Sequence, residues 1–446
     1  MRLAQRLIHT IGALPPPARV WGSVVKVLGL RVEVAGLGAH AAVGTRLLLT
    51  PPHRPAVPCE VVGFAGPLAL ALPFGALDGV GPGCRALLEP GAASVAPSRA
   101  WLGRVVDALA RPIDGKGPLP HGAPHIPLRN VPPPPTARAR LGAQLDLGVR
   151  AVNAFTPMRR GQRLGIFSGS GVGKSVLLSM MARYTAAEVA VIGLVGERGR
   201  EVAEFLEDDL GADGLARSVV VVATGDEPAL ARRQAAYLTL SIAESFRDAG
   251  TDVLCLMDSL TRFAMAQREI GLSAGEPPTA KGYPPTTFGE LARLLERAGP
   301  GPSGTRGSIT GLFSVLVEGG DMDEPVADAV RGLVDGHIVM RRAIADRGRF
   351  PAIDVLASLS RAMPEVLPED RRAPVARARR LLSTYEDMAE LIRLGAYKKG
   401  SDPAVDEAIA LYPRLEAFLT QDRAERSDIN AAFDALAEIV GAAESS

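Results

Sequence analysis

The chain has 446 residues, of which 47% are hydrophobic and 22% charged, and it carries a formal charge of +1. That length exceeds one ordinary core and points to two or three domains, while the balance fits a folded, soluble protein rather than a disordered one. Near-neutral charge argues against a polybasic nucleic-acid binder, and no apolar run approaches the roughly 20 residues that a bilayer crossing needs. Cys59, Cys84 and Cys255 are isolated, show neither metal nor disulfide spacing, and fit a reducing cytoplasm.

The first stretch, "MRLAQRLIHTIGALPPPA", is a poor signal peptide, because His9 and Thr10 interrupt it and Pro15 to Pro17 stop it. Leu3, Leu7, Ile11 and Leu14 share one helical face, so residues 1–19 read as an amphipathic helix, either docked on its own domain or serving as a partner-binding arm. From Val20 to Val95, "SVVKVLGLRVEVAGLG" and "HAAVGTRLLLTPP" are short, β-branched runs broken by glycine and proline, which predict a small β-barrel or sandwich. "IPLRNVPPPPTARARLG", Ile126 to Gly142, is too proline-rich for a regular element and reads as an extended strap.

Beyond the strap, apolar strand candidates alternate with helical stretches. The strands are Leu164 to Phe167, Val189 to Val195, Ser218 to Ala223, Val253 to Met257 and Leu312 to Val317. Continuous apolar strands separated by helices such as "PALARRQAAYLTLSIAESFRDAG" predict a mainly parallel sheet covered on both faces. "LSAGEPPTAKGYPPTTF", Leu272 to Phe288, shows no helical pattern and reads as a long connection. After Pro364 the chain turns helical, with Leu381 to Leu394 and Pro403 to Leu419 as the main helices. The predicted division is an arm (1–19), a β-barrel (20–95), an α/β nucleotide-binding domain (96–365) and a C-terminal α-helical domain (366–446).

Three stretches carry chemistry. "SGSGVGKS", Ser168 to Ser175, follows a strand and opens a helix, the context of a phosphate-binding loop, although Ser168 stands where glycine is usual. Gly169, Ser170, Gly171, Val172 and Gly173 would wrap phosphate with backbone amides, and Val176 completes the stretch. Lys174 would reach the terminal phosphates and the Ser175 hydroxyl would ligate Mg2+. "VLCLMDS" delivers Asp258 at the tip of a buried strand, where a carboxylate can hold the same ion or simply cap the next helix. "GLVGERGREV" brings Glu197 and Arg198 to the same sheet edge, where Glu197 can orient a water; a surface ion-pair cluster with Arg200 and Glu201 is the alternative.

"GERGRE", "LGRVVDALARPIDGKGPL" and "PAIDVLASLSR" together resemble the rotary ATP synthase alpha/beta family, from about Val20 to Leu419. "GDEPALARRQAAYLTLSIAESFRD", "MDSLTRFAMAQREIGLSAGEPPTAKGYPPT", "VADAVRGLVDGHIVM" and "LIRLGAYKKGSDP" resemble its flagellar type III protein-export branch, in which a small non-glycine residue is common at the position of Ser168. The resemblance implies a cytoplasmic, Mg2+-dependent ATPase at the inner membrane of the flagellar base, with ATP as substrate. Lys174 and Glu197 then act in catalysis with Arg198 beside them, Asp258 and Ser175 serve the metal, and Phe350 stands against the adenine. Arg361 matches an arginine that enters a neighbouring subunit's site, which implies a homohexameric ring. Implied partners are a regulator on the N-terminal arm, a stalk protein in the ring channel facing Leu272 to Phe288, and the export gate with its chaperones and substrates. A virulence-type secretion ATPase or a catalytic subunit of a rotary synthase is the alternative. Glu197 argues against a non-catalytic nucleotide-binding subunit, and the lack of an aromatic, basic groove against an RNA translocase.

Overall fold

The computed structural model describes residues 19–317 and 320–441, so the arm's amphipathic helix lies outside the described residues. Two compact units divide the chain between Ala93 and Ser94. The first is a closed barrel of Trp21–Leu28 (β1), Arg31–Ala35 (β2), Arg46–Thr50 (β3), Val57–Ala65 (β4), Leu68–Pro73 (β5) and Arg85–Leu88 (β6), in the order β1-β2-β5-β4-β3-β6. Val24, Val32, Val34, Leu47, Leu49 and Val61 alternate with outward residues and fill its interior. Closure leaves no free sheet edge, which decides between barrel and sandwich.

The second unit is built on a nine-stranded sheet. Its strands are Arg104–Asp107 (β7), Arg163–Ser168 (β8), Val189–Val195 (β9), Ser218–Ala223 (β10), Asp252–Asp258 (β11), Ser308–Leu316 (β12), Gly336–Met340 (β13) and Ile353–Ser360 (β14). They run β14-β13-β8-β12-β11-β9-β10-β7, with the short pair Gly299–Pro300 on β12. All pairings from β13 to β7 are parallel, while β14 and Gly299–Pro300 pair antiparallel. Every residue of β9 and β10 is buried, as expected of strands with helices on both faces. The predicted strands lie where they were expected; β7, β13 and β14 have weaker apolar runs and were not separately expected.

One face carries Lys174–Tyr184 (α1), the other Ala229–Asp248 (α2), Leu260–Ala274 (α3), Pro285–Glu296 (α4) and Pro325–Leu333 (α5). Leu177 and Met181 of α1 share one continuous core with Leu164 and Ile166 of β8. That core extends into Glu369–Arg393 (α6), Pro403–Leu419 (α7) and Ile429–Gly441 (α8) through Leu381, Leu411, Leu415 and Phe433. Helix α6 begins 12 residues before the expected start at Leu381 and holds Pro374 inside it. Burial of Val375, Ala378, Leu381 and Leu382 outweighs the hydrogen bond that proline removes.

The expectation for Leu272 to Phe288 needs correction. Helix α3 runs on to Ala274 and ends at Gly275 with φ 95, Ala280–Gly282 forms a 3-10 turn, and Pro285 opens α4. Proline at a first helical position has no amide to leave unpaired, so proline richness here marks a helix start as well as a loop.

The strap is pinned to α2. The Arg297 guanidinium donates from Nε and Nη2 to the Glu244 carboxylate at 2.9 and 2.8 Å and from Nη1 to the Leu128 carbonyl at 2.7 Å. Asn130 Nδ2 donates to the same carboxylate at 3.0 Å, and the two charged side chains are 2% and 0% exposed. Glu244→Ala leaves a buried guanidinium without its counter-ion, so we expect a loss of about 3–5 kcal/mol. Paired replacement of Glu244 and Arg297 by methionine costs less. Thermal and denaturant unfolding of the three variants checks this, and a double variant at least as unstable as the single one would sink it.

Candidate functional site

The site is assembled where β8, β9 and β11 end. Strand β8 stops at Ser168, the loop runs through Gly169 to Gly173, and α1 opens at Lys174. Gly171 and Gly173 take φ 72 and 83, which side-chain-bearing residues rarely adopt, so glycine at these positions shapes the loop. Val172, 1% exposed, anchors the loop in the core, while Ser175 at the helix start is open to solvent. Ser168 is 1% exposed and its Oγ is buried without a hydrogen-bond partner, so the chain accommodates the extra hydroxyl at the mouth of the loop.

The register of β9 against β11 pairs Leu194 with Asp258, so Glu197, just beyond Val195, comes close to Asp258. Gly196, which precedes Glu197, has φ 79, and a Cβ there would lie 2.7 Å from Arg262 Cβ. Lys174 Nζ donates to Asp258 Oδ1 at 2.5 Å and lies 3.5 Å from Glu197 Oε1; Ser314 Oγ donates to the same Asp258 oxygen at 2.6 Å. One cation thus faces two carboxylates. Burial works against the charged form of Lys174, but Asp258 and Glu197 outweigh it and hold the ammonium above its usual range. Burial, then the Asp258 charge, pushes the Glu197 carboxyl from 4.5 up to about 7. A carboxylate titrating there is suited to accept a proton near neutral pH.

The other predicted residues go to different places. Arg198 points to solvent, its side chain 80% exposed and 3.0 Å from Glu201, and Arg200 pairs with Glu204. Glu197 takes Lys174 as its cationic partner, although its carboxyl also lies against Glu201 of that surface cluster. Phe350 is 45% exposed and its ring lies 3.4 Å from the position a Cβ on Gly173 would take, so it borders the phosphate loop. Arg361 is exposed and lies at the other end of the sheet: Met340, beside Ser168, pairs with Ile353, whereas Ser360 pairs with Gly336. Four strand steps, roughly 13 Å, separate those ends.

Arg262 was not singled out from the sequence. It sits in the first turn of α3, packs on Gly196, and its Nε is buried without a hydrogen-bond partner. The usable signal was its place four residues after Asp258 in "DSLTR", one helical turn on. Beside Ser168 to Ser170 a cleft of about 970 Å3 is lined by Arg262, Arg268, Lys281, Arg341 and Arg342 against one carboxylate, Glu324. Such a charge balance draws polyanions toward the loop.

Residues 148–360 match the nucleotide-binding domain of the ATP synthase alpha/beta family, and residues 367–438 match the C-terminal domain of the type III secretion ATPase EscN. A flagellum-specific ATP synthase of Caulobacter vibrioides is 57% identical over 95% of this chain and 96% of its own length. One from Salmonella typhimurium is 47% identical over 95% and 94%. A type 3 secretion system ATPase of Xanthomonas euvesicatoria is 48% identical over 90% of each chain. The structure of assembled EscN from enteropathogenic E. coli superposes with a TM-score of 0.86 at 36% identity, covering 94% of this chain and 100% of that one. EscN has also been solved with its central stalk EscO.

The chain belongs to the ATP synthase alpha/beta family. Within it the chain is an ATP-hydrolysing enzyme of the flagellar and type III export branch. Family membership gives the chain a nucleotide substrate, and the basic cleft lies beside Ser168 to Ser170. Among the described residues no helix is long and apolar enough to cross a membrane, and no group of three or more His, Cys, Asp or Glu is placed to hold a metal.

Proposed function

We propose that this ATPase energises flagellar protein export as a homohexameric ring, in which Arg361 of one copy completes the site holding Lys174 and Glu197 in the next. The observation that carries the reading is the remoteness of Arg361 from its own phosphate loop, at the opposite end of β13 and β14. An arginine exposed there serves a second chain or none, and head-to-tail contacts that close leave no unsatisfied end.

In the proposed reaction the amides of Gly169 to Gly173 and the Lys174 ammonium hold the β- and γ-phosphates. Glu197 accepts a proton from a water whose oxygen bonds to the γ-phosphorus as the bond to the bridging oxygen breaks, giving ADP and phosphate. Arg361 of the neighbour balances charge on the moving phosphoryl group, Arg262 supports it from α3, and Arg198 contributes from the rim. Phe350 offers one face to the adenine. Asp258, Ser314 and Ser175 present hard oxygen donors, and Mg2+ needs few of them because it keeps water and phosphate ligands. The residues present therefore fit the ion, whose contribution when bound is to neutralise phosphate charge.

The wider assembly follows the same reading: a cytoplasmic ring, peripheral at the inner membrane, with a stalk protein in its channel and a regulator on residues 1–19. Export substrates and chaperones meet it at the export gate. A second reading, service in a virulence-type secretion system, draws on the Xanthomonas relative, and the flagellar relatives favour the first. ATP turnover measured at rising protein concentration tests the ring. We expect specific activity to climb steeply and Glu197→Gln to abolish it; activity independent of concentration overturns the shared site.

A further inference from the structure

We propose that Arg342 is a positioning residue for phosphate binding, holding the loop in its binding shape through the Ser170 carbonyl; this rests on the nucleotide-site reading above. Arg342 Nη2 donates to Ser170 O at 2.5 Å, across 172 positions of sequence. The same guanidinium lies 3.9 Å from where a Cβ on Gly171 would stand. Ser170 and Gly171 are joined by a trans peptide, so the carbonyl of one and the amide of the other point in opposite directions. Pinning the carbonyl on Arg342 therefore turns the Gly171 amide the other way. A flip of this one unit would aim an oxygen at phosphate in place of an N–H, exchanging attraction for repulsion. Gly171 has no Cβ to resist such a flip, so the restraint comes from outside the loop.

The Arg342 side chain is exposed, but the residue stands on anchored backbone. It opens the short helix Arg342–Ala345, and its neighbour Arg341 donates from Nε to Asp354 at 2.5 Å. Asp354 also accepts the Leu356 and Ala357 amides. Farther along, the Gln421 amide donates to the Phe350 carbonyl at 2.9 Å, and Arg349 lies 3.5 Å from Glu416. The segment from Arg341 to Phe350 thus spans both ends of the phosphate loop, with Arg342 on Ser170 and Phe350 against Gly173. A donor fixed before the ligand arrives removes reorganisation that binding would otherwise have to supply.

The test compares wild type with Arg342→Ala, Arg342→Lys and Lys174→Ala, using Mg-ADP and Mg-pyrophosphate as probes. Pyrophosphate has no base and so isolates the phosphate cradle. Arg342→Ala is expected to weaken both ligands about tenfold, the scale of one charge-assisted hydrogen bond, and to raise KM for ATP more than it lowers kcat. Arg342→Lys recovers part of the loss, because an ammonium also donates to a carbonyl. The melting temperature of the ligand-free protein stays put, since Arg342 is exposed. Arg342→Lys keeps the positive charge in the basic cleft, so its salt dependence of binding matches wild type and the loss it retains reports the geometry of the clasp.

Unchanged affinity in Arg342→Ala, beside lost affinity in Lys174→Ala, overturns the clasp and leaves the nucleotide site standing. A matching drop in melting temperature in Arg342→Ala, or full recovery of both affinities in Arg342→Lys, also overturns it, in favour of a structural role or of a purely electrostatic one. Failure of the wild-type protein to bind either probe sinks the clasp and the site together.

Discussion

Arg361→Ala is expected to lower ATP turnover by a thousandfold or more, the usual cost of removing an arginine that meets transition-state charge. Nucleotide affinity of the isolated chain should barely change, because Arg361 stands at the far end of the sheet from its own loop. The sharper result comes from mixing Arg361→Ala with Glu197→Gln, two chains that are each nearly inactive. Random head-to-tail assembly of equal amounts places an intact Glu197 beside an intact neighbouring Arg361 at about one interface in four. Partial recovery of turnover, greatest near equal proportions, is therefore expected. No recovery at any proportion would show that the two residues do not share a site between chains.

Glu197→Gln is expected to lower turnover by about 10²- to 10⁴-fold, the range for loss of a general base, and to stabilise the ligand-free protein. The second effect follows from the raised pKa of Glu197, about 7 in the folded chain against an ordinary 4.5. Between those values the native state binds more protons than the unfolded state, so stability falls as pH rises through the window. Above it the buried carboxylate is ionised in both states and its full cost is present. Glutamine removes that cost, worth on the order of 1–3 kcal/mol. The variant should thus melt higher than wild type near pH 8, and the gap should close near pH 5. Wild-type kcat/KM should show an acidic limb with an apparent pKa near 7, reporting the free enzyme. Equal melting temperatures at both pH values would mean that Glu197 is not held in a costly environment.

That cost comes first from burial and then from neighbours distant in sequence. Asp258, 61 positions beyond Glu197, raises its pKa, while Lys174, 23 positions before it, is its cationic partner. The tension is a property of the site rather than of Glu197 alone, and it fits a carboxylate kept poised for a proton.

Much of the fold and of the site was legible in the residues themselves, because short-range physics leaves short-range marks. The phosphate loop, the strand that delivers Asp258 and the buried strands β9 and β10 each have such a signature. Glycine spacing, continuous apolar runs and a terminal carboxylate are the marks, and each element formed where its residues indicated. Leu272 to Phe288 misled for the opposite reason. Proline there reads equally as loop or as first helical residue, and packing of α3 and α4 decided between them. Arg198 and Glu197 are adjacent in sequence, yet one turned to solvent and the other toward Lys174. No spacing rule separates those outcomes; the end of β9 and the start of the next helix do.

By itself, then, the sequence determined the classes of element and the chemical groups, since propensity and periodicity act over a few residues. The tertiary structure alone decided which groups meet. Parallel register set Glu197 beside Asp258, antiparallel register carried Arg361 away from its own loop, and the return of β13 brought Arg342 onto Ser170. Those placements depend on strand pairings between segments tens to hundreds of residues apart, which short-range preferences cannot encode.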